Sequence, residues 1–466
     1  MFCQLDSLRR CLPGRVRLAL DELPVTLDGT YERTLLDINE ENWAYAHRLF
    51  QCITVASRPL RVEELAEFLA FDLKRNLDQG GDPSFDASWR PEDPNDAVLS
   101  TCSSLITVIN VGDTTVVQFS HFSVKEFLTS HRIARGRVSR YHIPLEPAHL
   151  TIARVCLTVL LHLDGSVNKA MIKNFPLAFY AARYWVDHVK VGNVSLHVRD
   201  AIRRVFDPTQ PHFPAWAWLE YHDESRGSIP ENQTTPRYPP LHRAALDDLD
   251  DVAGWLITSR SRDPDERDRY GTTPLYYASS RGSLKAAELL IKHGADPNAQ
   301  CVSNMRPLHI ASTKGRPEVL RLLVENGADV NALVSGVWTA VYLASKEGHL
   351  EVVRVLLENG ADPNVLWWTG TPLDEAVRRN NLELAQLLLQ YGANINARDG
   401  VGNTLLHRAV FVADERSVRQ LLNCGADIHA RNWNGETTLQ VASAKEIRRE
   451  NEAKIIDLLR QHGALG

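Results

Sequence analysis

At 466 residues the chain is too long for one compact core, and two or three units are expected. Its composition is that of an ordinary globular protein, and a formal net charge of −6 argues against nucleic acid or an anionic membrane as the main partner. Seven scattered cysteines (Cys3, Cys11, Cys52, Cys102, Cys156, Cys301, Cys424), an odd count with no CxxC, suit reduced thiols in a cytoplasmic protein, the nucleus being the other compartment such a chain could occupy. The opening MFCQLDSLRR reaches charge too soon for a signal peptide. The apolar run Ile152 to Leu163 is well short of a membrane span and predicts a buried helix.

In chain order, residues 1–27 read as a short helical segment ending near Leu23-Pro24. Thr26, Asp28 and Thr30 offer a helix start before TYERTLLDI, and Asn42 to Ala56 is strongly amphipathic. Arg58 to Phe71 reads as a turn and a further helix, with Glu63 and Glu64 in the first turn, where the dipole favours them. Asn76 to Asp96 is polar and predicts a loop. Leu99 to Ile109 and Thr114 to His121, parted by Gly112-Asp113, predict a helix end and a β-hairpin, and SVKEFLTSHRI closes with another helix. Helix, helix, helix, hairpin, helix is the outline of a winged helix over 28–135, followed by a helical spacer over 136–221 and a polar linker over 222–237.

From 238 to 466 the sequence keeps a beat. GAD or a near variant recurs at Gly294, Gly327, Gly360, Gly392 and Gly425, with a worn copy at Gly463, at intervals of 33, 33, 32, 33 and 38 residues. A second string keeps the same phase: PPLHRA from Pro239, TPLYYA from Thr273, RPLHIA from Arg306, TAVYLA from Thr339, TPLDEA from Thr371, TLLHRA from Thr404 and TTLQVA from Thr437. A period near 33 implies a stacked solenoid of about seven units, each sheltering its apolar faces only against its neighbours. Thr-Pro opens a helix because proline is preset for the first turn. Leu290, Leu323, Leu356, Leu388, Leu421 and Leu459 share one slot four residues before each glycine, which takes the left-handed closing position. The first and last units depart from the pattern, as the polar ends of a solenoid do. These phased motifs resemble ankyrin repeats.

The front half carries a second resemblance. LPVTLDGTYERTLL (Leu23 to Leu36), ASRPLRVEELAEFLAF (Ala56 to Phe71), FSHFSVKEFL (Phe119 to Leu128) and FPLAFYAARYWVDHV (Phe175 to Val189) resemble the region downstream of the nucleotide-binding core in fungal NACHT–ankyrin proteins, relatives of NOD-like receptors. That resemblance implies signalling or non-self sensing. The P-loop GxxxxGK[ST] that carries the family's ATP chemistry is absent from the sequence, so no ATPase activity and no cofactor are expected. The chain then reads as a truncated product or as a member built without the catalytic half.

Candidate binding residues come from the repeats. Trp367 and Trp368 at one finger tip, Trp433 near another and Trp338 before a helix start are large aromatics of the type that anchors interfaces. Packing against a neighbouring finger is the alternative for each, Trp338 above all. Arg281, Lys314, Lys346, Arg378 and Arg379 precede the inter-helix turns and would line a groove, although solvated surface charge explains any one of them singly. His242, His309 and His407 recur at the fourth place of TPLH without a second ligand repeating beside them, which predicts a hydrogen-bonding role within each repeat rather than a metal site. His121 matches, by the NOD-like receptor resemblance, the histidine that reaches a bound nucleotide's phosphate; in this chain alone a structural role at a strand end is favoured.

A winged helix can also bind DNA, but Asp28 to Ser130 holds 17 Asp/Glu against 8 Lys/Arg, the wrong sign for phosphate. No metal spacing and no nucleophile–base set is present in the sequence. The sequence therefore predicts a mainly α protein in which a winged-helix and helical half precedes an ankyrin-type solenoid with short β-hairpin fingers. Its expected work is non-catalytic protein–protein recognition in intracellular signalling, with no nucleic acid or membrane partner. The alternative is a split NACHT-type NTPase whose P-loop half is supplied elsewhere.

Overall fold

The computed structural model describes residues 27–73, 83–112, 114–163, 172, 174–221, 236–365, 370–443 and 450–464. The predicted segment 1–26, the Trp367/Trp368 pair, most of the linker and residues 445–449 lie outside the described residues. The chain forms two compact units, Met1–Arg237 and Tyr238–Gly466.

The first unit begins with helices Leu27–Leu36 and Trp43–Val55. The stretch from Arg58 is less helical than its composition suggests. Leu60–Arg61 is a short strand, β1, and the helix that follows runs only Val62–Glu67 before a 3₁₀ turn at Phe68–Ala70. Leu60 sits opposite Val117 in the sheet, so the chain is pulled straight before it can coil. Buried Glu64 then opens the helix, accepting from the Arg61 backbone N–H at 2.8 Å and pairing with Arg58 at 2.6 Å. Strands β2 (Phe71–Asp72) and β3 (Ser84–Phe85) pair within what reads as helix end and loop. The predicted loop also ends early, because helix Pro94–Cys102 starts inside it. Asp93 is its cap, accepting from the N–H groups of Asn95 and Asp96 at 2.9 and 3.1 Å, with Pro94 next in line.

The hairpin stands where the sequence places it. β4 (Ile106–Val111) and β5 (Thr114–Phe119) pair antiparallel from Ile106↔Phe119 to Val111↔Thr114, and β1 adds to the free side of β5 in the order β1-β5-β4. Helix Phe122–Thr129 follows. The spacer is helical: Leu145–His162, Ala178–Val189, Val194–His197, Arg199–Phe206 and His212–Tyr221. Its longest helix buries every residue from Val155 to Leu160, the apolar run expected to be interior. Trp185, Phe206 and Phe213 surround Trp216 at centroid distances of 5.2–5.5 Å, and the Trp216 indole N–H donates to the Ala182 carbonyl at 2.8 Å.

The second unit is a row of helix pairs. The first helices of the pairs are Pro240–Leu246, Pro274–Arg281, Pro307–Lys314, Ala340–Glu347, Pro372–Arg378, Leu405–Val412 and Thr438–Ser443. Their partners are Asp250–Arg260, Leu284–Lys292, Pro317–Glu325, Leu350–Glu358, Leu382–Gln390, Glu415–Asn423 and Glu450–Gln461. First helices stack on first helices and second on second, except at the step from the fifth pair to the sixth, where Pro372–Arg378 packs against Glu415–Asn423. Thr273 and Thr339 cap their helices by accepting from the Tyr276 and Tyr342 N–H groups. All six slot leucines are buried, none more than 1% exposed, so the register read from the repeat is the register of the core. The turn between helices needs a left-handed residue: Gly315 has φ +65°, and a Cβ there would meet the His349 ring at 2.7 Å.

Candidate protein-binding face of the solenoid

Each finger is held at its base by one asparagine of the GADxN stretch. Asn298, Asn331 and Asn364 accept, through Oδ1, from the backbone N–H of Asp329, Asp362 and Asn394 at 2.9, 2.9 and 2.7 Å. Each also donates from Nδ2 to the carbonyl of Gly327, Gly360 and Gly392 at 2.8, 3.0 and 3.0 Å. Both partners belong to the following repeat, so the side chain rivets consecutive fingers at a fixed step. The repeated histidines do related work. His242, His309 and His407 are buried, and each Nε2–H donates to a carbonyl of the loop entering the next repeat: Thr272 at 2.9 Å, Ala332 at 2.9 Å and Glu436 at 3.1 Å. The expected bond within the repeat is present for His309 and His407, whose Nδ1 accepts from the Arg306 and Thr404 N–H at 3.2 and 3.3 Å, and the Nε2 bond adds a tie to the neighbouring repeat. Burial lowers the pKa of His309 and His407, which keeps the rings neutral.

On that scaffold the predicted cations take one position. Arg281, Lys314 and Arg378 end their inner helices and Lys346 sits one residue before the end of its own, all four exposed. Arg378 pairs with Glu375, a buried carboxylate that also accepts from the Tyr342 hydroxyl at 2.9 Å. Arg379 lies 3.8 Å from Glu347. Lys346 stands over the Trp338 ring at 6.0 Å. Arg281 and Lys314 have no ion-pair partner among the described residues.

Fingers enter the N-terminal ends of these helices, so their tips and the cations lie at opposite ends of helices about 12 Å long. Trp338 is 37% exposed and its backbone is bridged to Val334, which makes it partly a packing residue. Trp433 is 68% exposed. His121 stands apart in the first unit, where Nδ1 caps helix Phe122–Thr129 by accepting from the Ser123 N–H at 3.3 Å; it also lies 2.5 Å from the Ser123 hydroxyl.

The sequence reading misses a patch at the sixth inner helix, Leu405–Val412. Where other repeats carry a cation this one ends in Phe411 and Val412, 63% and 73% exposed. The turn after it uses Ala413, at φ +59°, where the second, third and fourth repeats use glycine and the first and fifth use Asp248 and Asn380, each at φ +55°. Two concavities meet here. One of about 440 Å³ is lined by His407, Arg408, Phe411, Val412, Asn434 and Val441 among others, and one of about 140 Å³ by Asp374, Arg378, Leu405, Arg408 and Val412 among others. Arg408 separates them and is held by Asp374, whose other oxygen accepts from the Thr371 N–H and hydroxyl at 2.7 Å each. The signal was present: Phe411-Val412-Ala413 departs from the ending of the second, third and fourth repeats, where a basic residue stands one or two places before glycine.

Comparison with known proteins agrees with this architecture. The ankyrin-repeat family model matches in three copies, residues 241–334, 332–399 and 373–465, and the "GPI inositol-deacylase, winged helix domain" model matches residues 31–143. The azaphilone pigments biosynthesis cluster protein L of Monascus ruber is 31% identical over 302 residues, 60% of this chain and 62% of that protein. The chain thus spans about three fifths of that relative's length. The mouse B-cell lymphoma 3 protein homolog is 38% identical over 90 residues, 19% of this chain and 18% of that one. The crystal structure of the ankyrin repeat domain of Bcl-3 aligns at 31% identity and TM-score 0.43, over 47% of this chain and 97% of that domain. Residues 241–465 are therefore ankyrin repeats, and the first unit carries a winged-helix domain of the kind described for GPI inositol-deacylase.

Proposed function

We propose that the chain is a non-catalytic protein-recognition module whose partner lies along the inner helices of the repeats. The observation that carries this reading is the paired concavity around Arg408 and Val412, opening beside exposed Phe411 and lined also by Arg378, the last cation of the row. Rigid apolar anchors beside fixed charges are what an interface core needs. The fingers, with Trp433 exposed, supply the opposite wall. A role in intracellular signalling draws support from the winged-helix match and from the resemblance of the front half to NACHT–ankyrin proteins.

The test is affinity capture with the full chain, comparing wild type with Val412→Asp and with Trp433→Ala. Both variants change exposed side chains, so thermal midpoints should stay within about 2 °C of wild type, and a genuine partner should be lost by Val412→Asp. A partner held equally by both variants would overturn the reading. The same match to a winged-helix model favours a second reading, in which the chain completes a P-loop protein supplied in trans. Capture of such a protein through residues 31–143, insensitive to Val412→Asp, would decide for it.

A further inference from the structure

We infer that the inner face takes an extended acidic peptide segment that ends in a bulky aliphatic or aromatic side chain, with the acidic run on the cation row and the apolar end beside Phe411 and Val412. This rests on the protein-recognition reading above and narrows it to one chemistry.

Charge is segregated on the repeats. The repeat unit from Tyr238 to Gly466 holds 26 Lys/Arg against 29 Asp/Glu, so the basic row is not the by-product of a basic domain. At the inner-helix ends the cations nevertheless stand in four consecutive repeats, as Arg281, Lys314, Lys346 and Arg378. The acids close to them are engaged, Glu347 by Arg379, Asp374 by Arg408, and Glu375 by Tyr342 and by Arg378 itself, so that Arg281, Lys314 and Lys346 are the cations of the row without an ion pair among the described residues. A cation at a helix C-terminus also complements the helix dipole, which by itself accounts for each residue singly. It does not account for the fifth position in the row, where the chain replaces the cation with two exposed apolar side chains and accepts a left-handed alanine.

Spacing sets the ligand's form. Packed helices stand about 8–10 Å apart, so four cations span roughly 30 Å. An extended chain rising about 3.3 Å per residue covers that span in about nine residues, one carboxylate in three meeting a cation. Val412 lies on the repeat after Arg378, and the two line one concavity together with Asp374 and Arg408. Nucleic acid is the other polyanion to consider, but an array with more acids than bases offers few phosphate contacts.

The probe is a fluorescein-labelled synthetic peptide of about twelve residues, nine rich in Asp and Glu followed by Leu-Phe, titrated with the full chain and followed by anisotropy. Wild type should bind it, more weakly as salt rises. The double variant Arg281→Glu/Lys314→Glu should weaken binding by about tenfold or more and should gain affinity for the matching lysine peptide. Replacing Leu-Phe by Ser-Ser, or Val412 by Ser, should weaken binding by a factor that does not change with salt. Full affinity in the charge-reversed variant, or equal binding of the lysine peptide or of a single-stranded oligonucleotide by wild type, overturns the inference. A protein partner that depends on Val412 but not on Arg281 and Lys314 also overturns it, while leaving the protein-recognition reading standing.

Discussion

Asn331 shows how much one exposed side chain contributes when its partners lie across a repeat boundary. It donates to Gly360 and accepts from Asp362, and alanine would leave both backbone groups to water. Two hydrogen bonds near the surface predict a loss of about 1 kcal/mol for Asn331→Ala, read as a lower urea midpoint at unchanged slope; an unaltered midpoint would remove the rivet from the account. In the first unit His188 has both ring nitrogens engaged, Nδ1 with His149 Nδ1 and Nε2 with the Tyr180 hydroxyl, each at 2.9 Å. Burial holds its pKa down at about 3, against 6.5 for a free imidazole, and the neighbouring His149 adds to the effect. Because the unfolded ring takes up a proton that the folded ring refuses, the stability tied to neutral His188 is complete above about pH 6.5 and is lost as pH falls toward 3. His188→Gln should therefore flatten the fall of the melting temperature between pH 6.5 and 4, and an equally steep fall in the variant would count against it.

At the scale of the element, the slot leucines say most. Leu356 is fully buried on helix Leu350–Glu358 between its neighbours in the stack. Leu356→Ala should cost about 2–5 kcal/mol by chemical denaturation, and a midpoint equal to wild type would mean that the stack is not registered on these leucines. The helix pairs were legible because two motifs repeat in phase, and seven samplings of one pattern overrule the ambiguity of any single copy. β1 was not legible. Two residues between Pro59 and a strong helix former carry no periodicity, and only the distant partners Val116 and Val117 make them a strand. Helix Pro94–Cys102 could have been found from Asp93-Pro94, a cap followed by a first-turn proline, but a run of polar residues masked it. The candidate site divides in the same way: the cations repeat and so could be read, whereas Phe411 and Val412 differ from the repeat and show their exposure only once the helix is placed.

For the whole molecule, periodicity accounts for the second unit and long-range pairing for the first, which is why one was read in outline and the other in pieces. Most of the linker and the Trp367/Trp368 tip lie outside the described residues, and the face consists of Trp338, Trp433 and the inner-helix ends. One feature of the repeats reaches further. The His242, His309 and His407 rings and the Asn298, Asn331 and Asn364 amides all donate toward the C-terminal neighbour. The array thus has a grain. Peeling a unit from the C-terminal end strips acceptors from a sealed imidazole that water reaches poorly, whereas peeling from the other end bares mainly carbonyls that water readily satisfies. Fraying should therefore be lopsided, with the leading edge loosening first and the trailing edge clinging on.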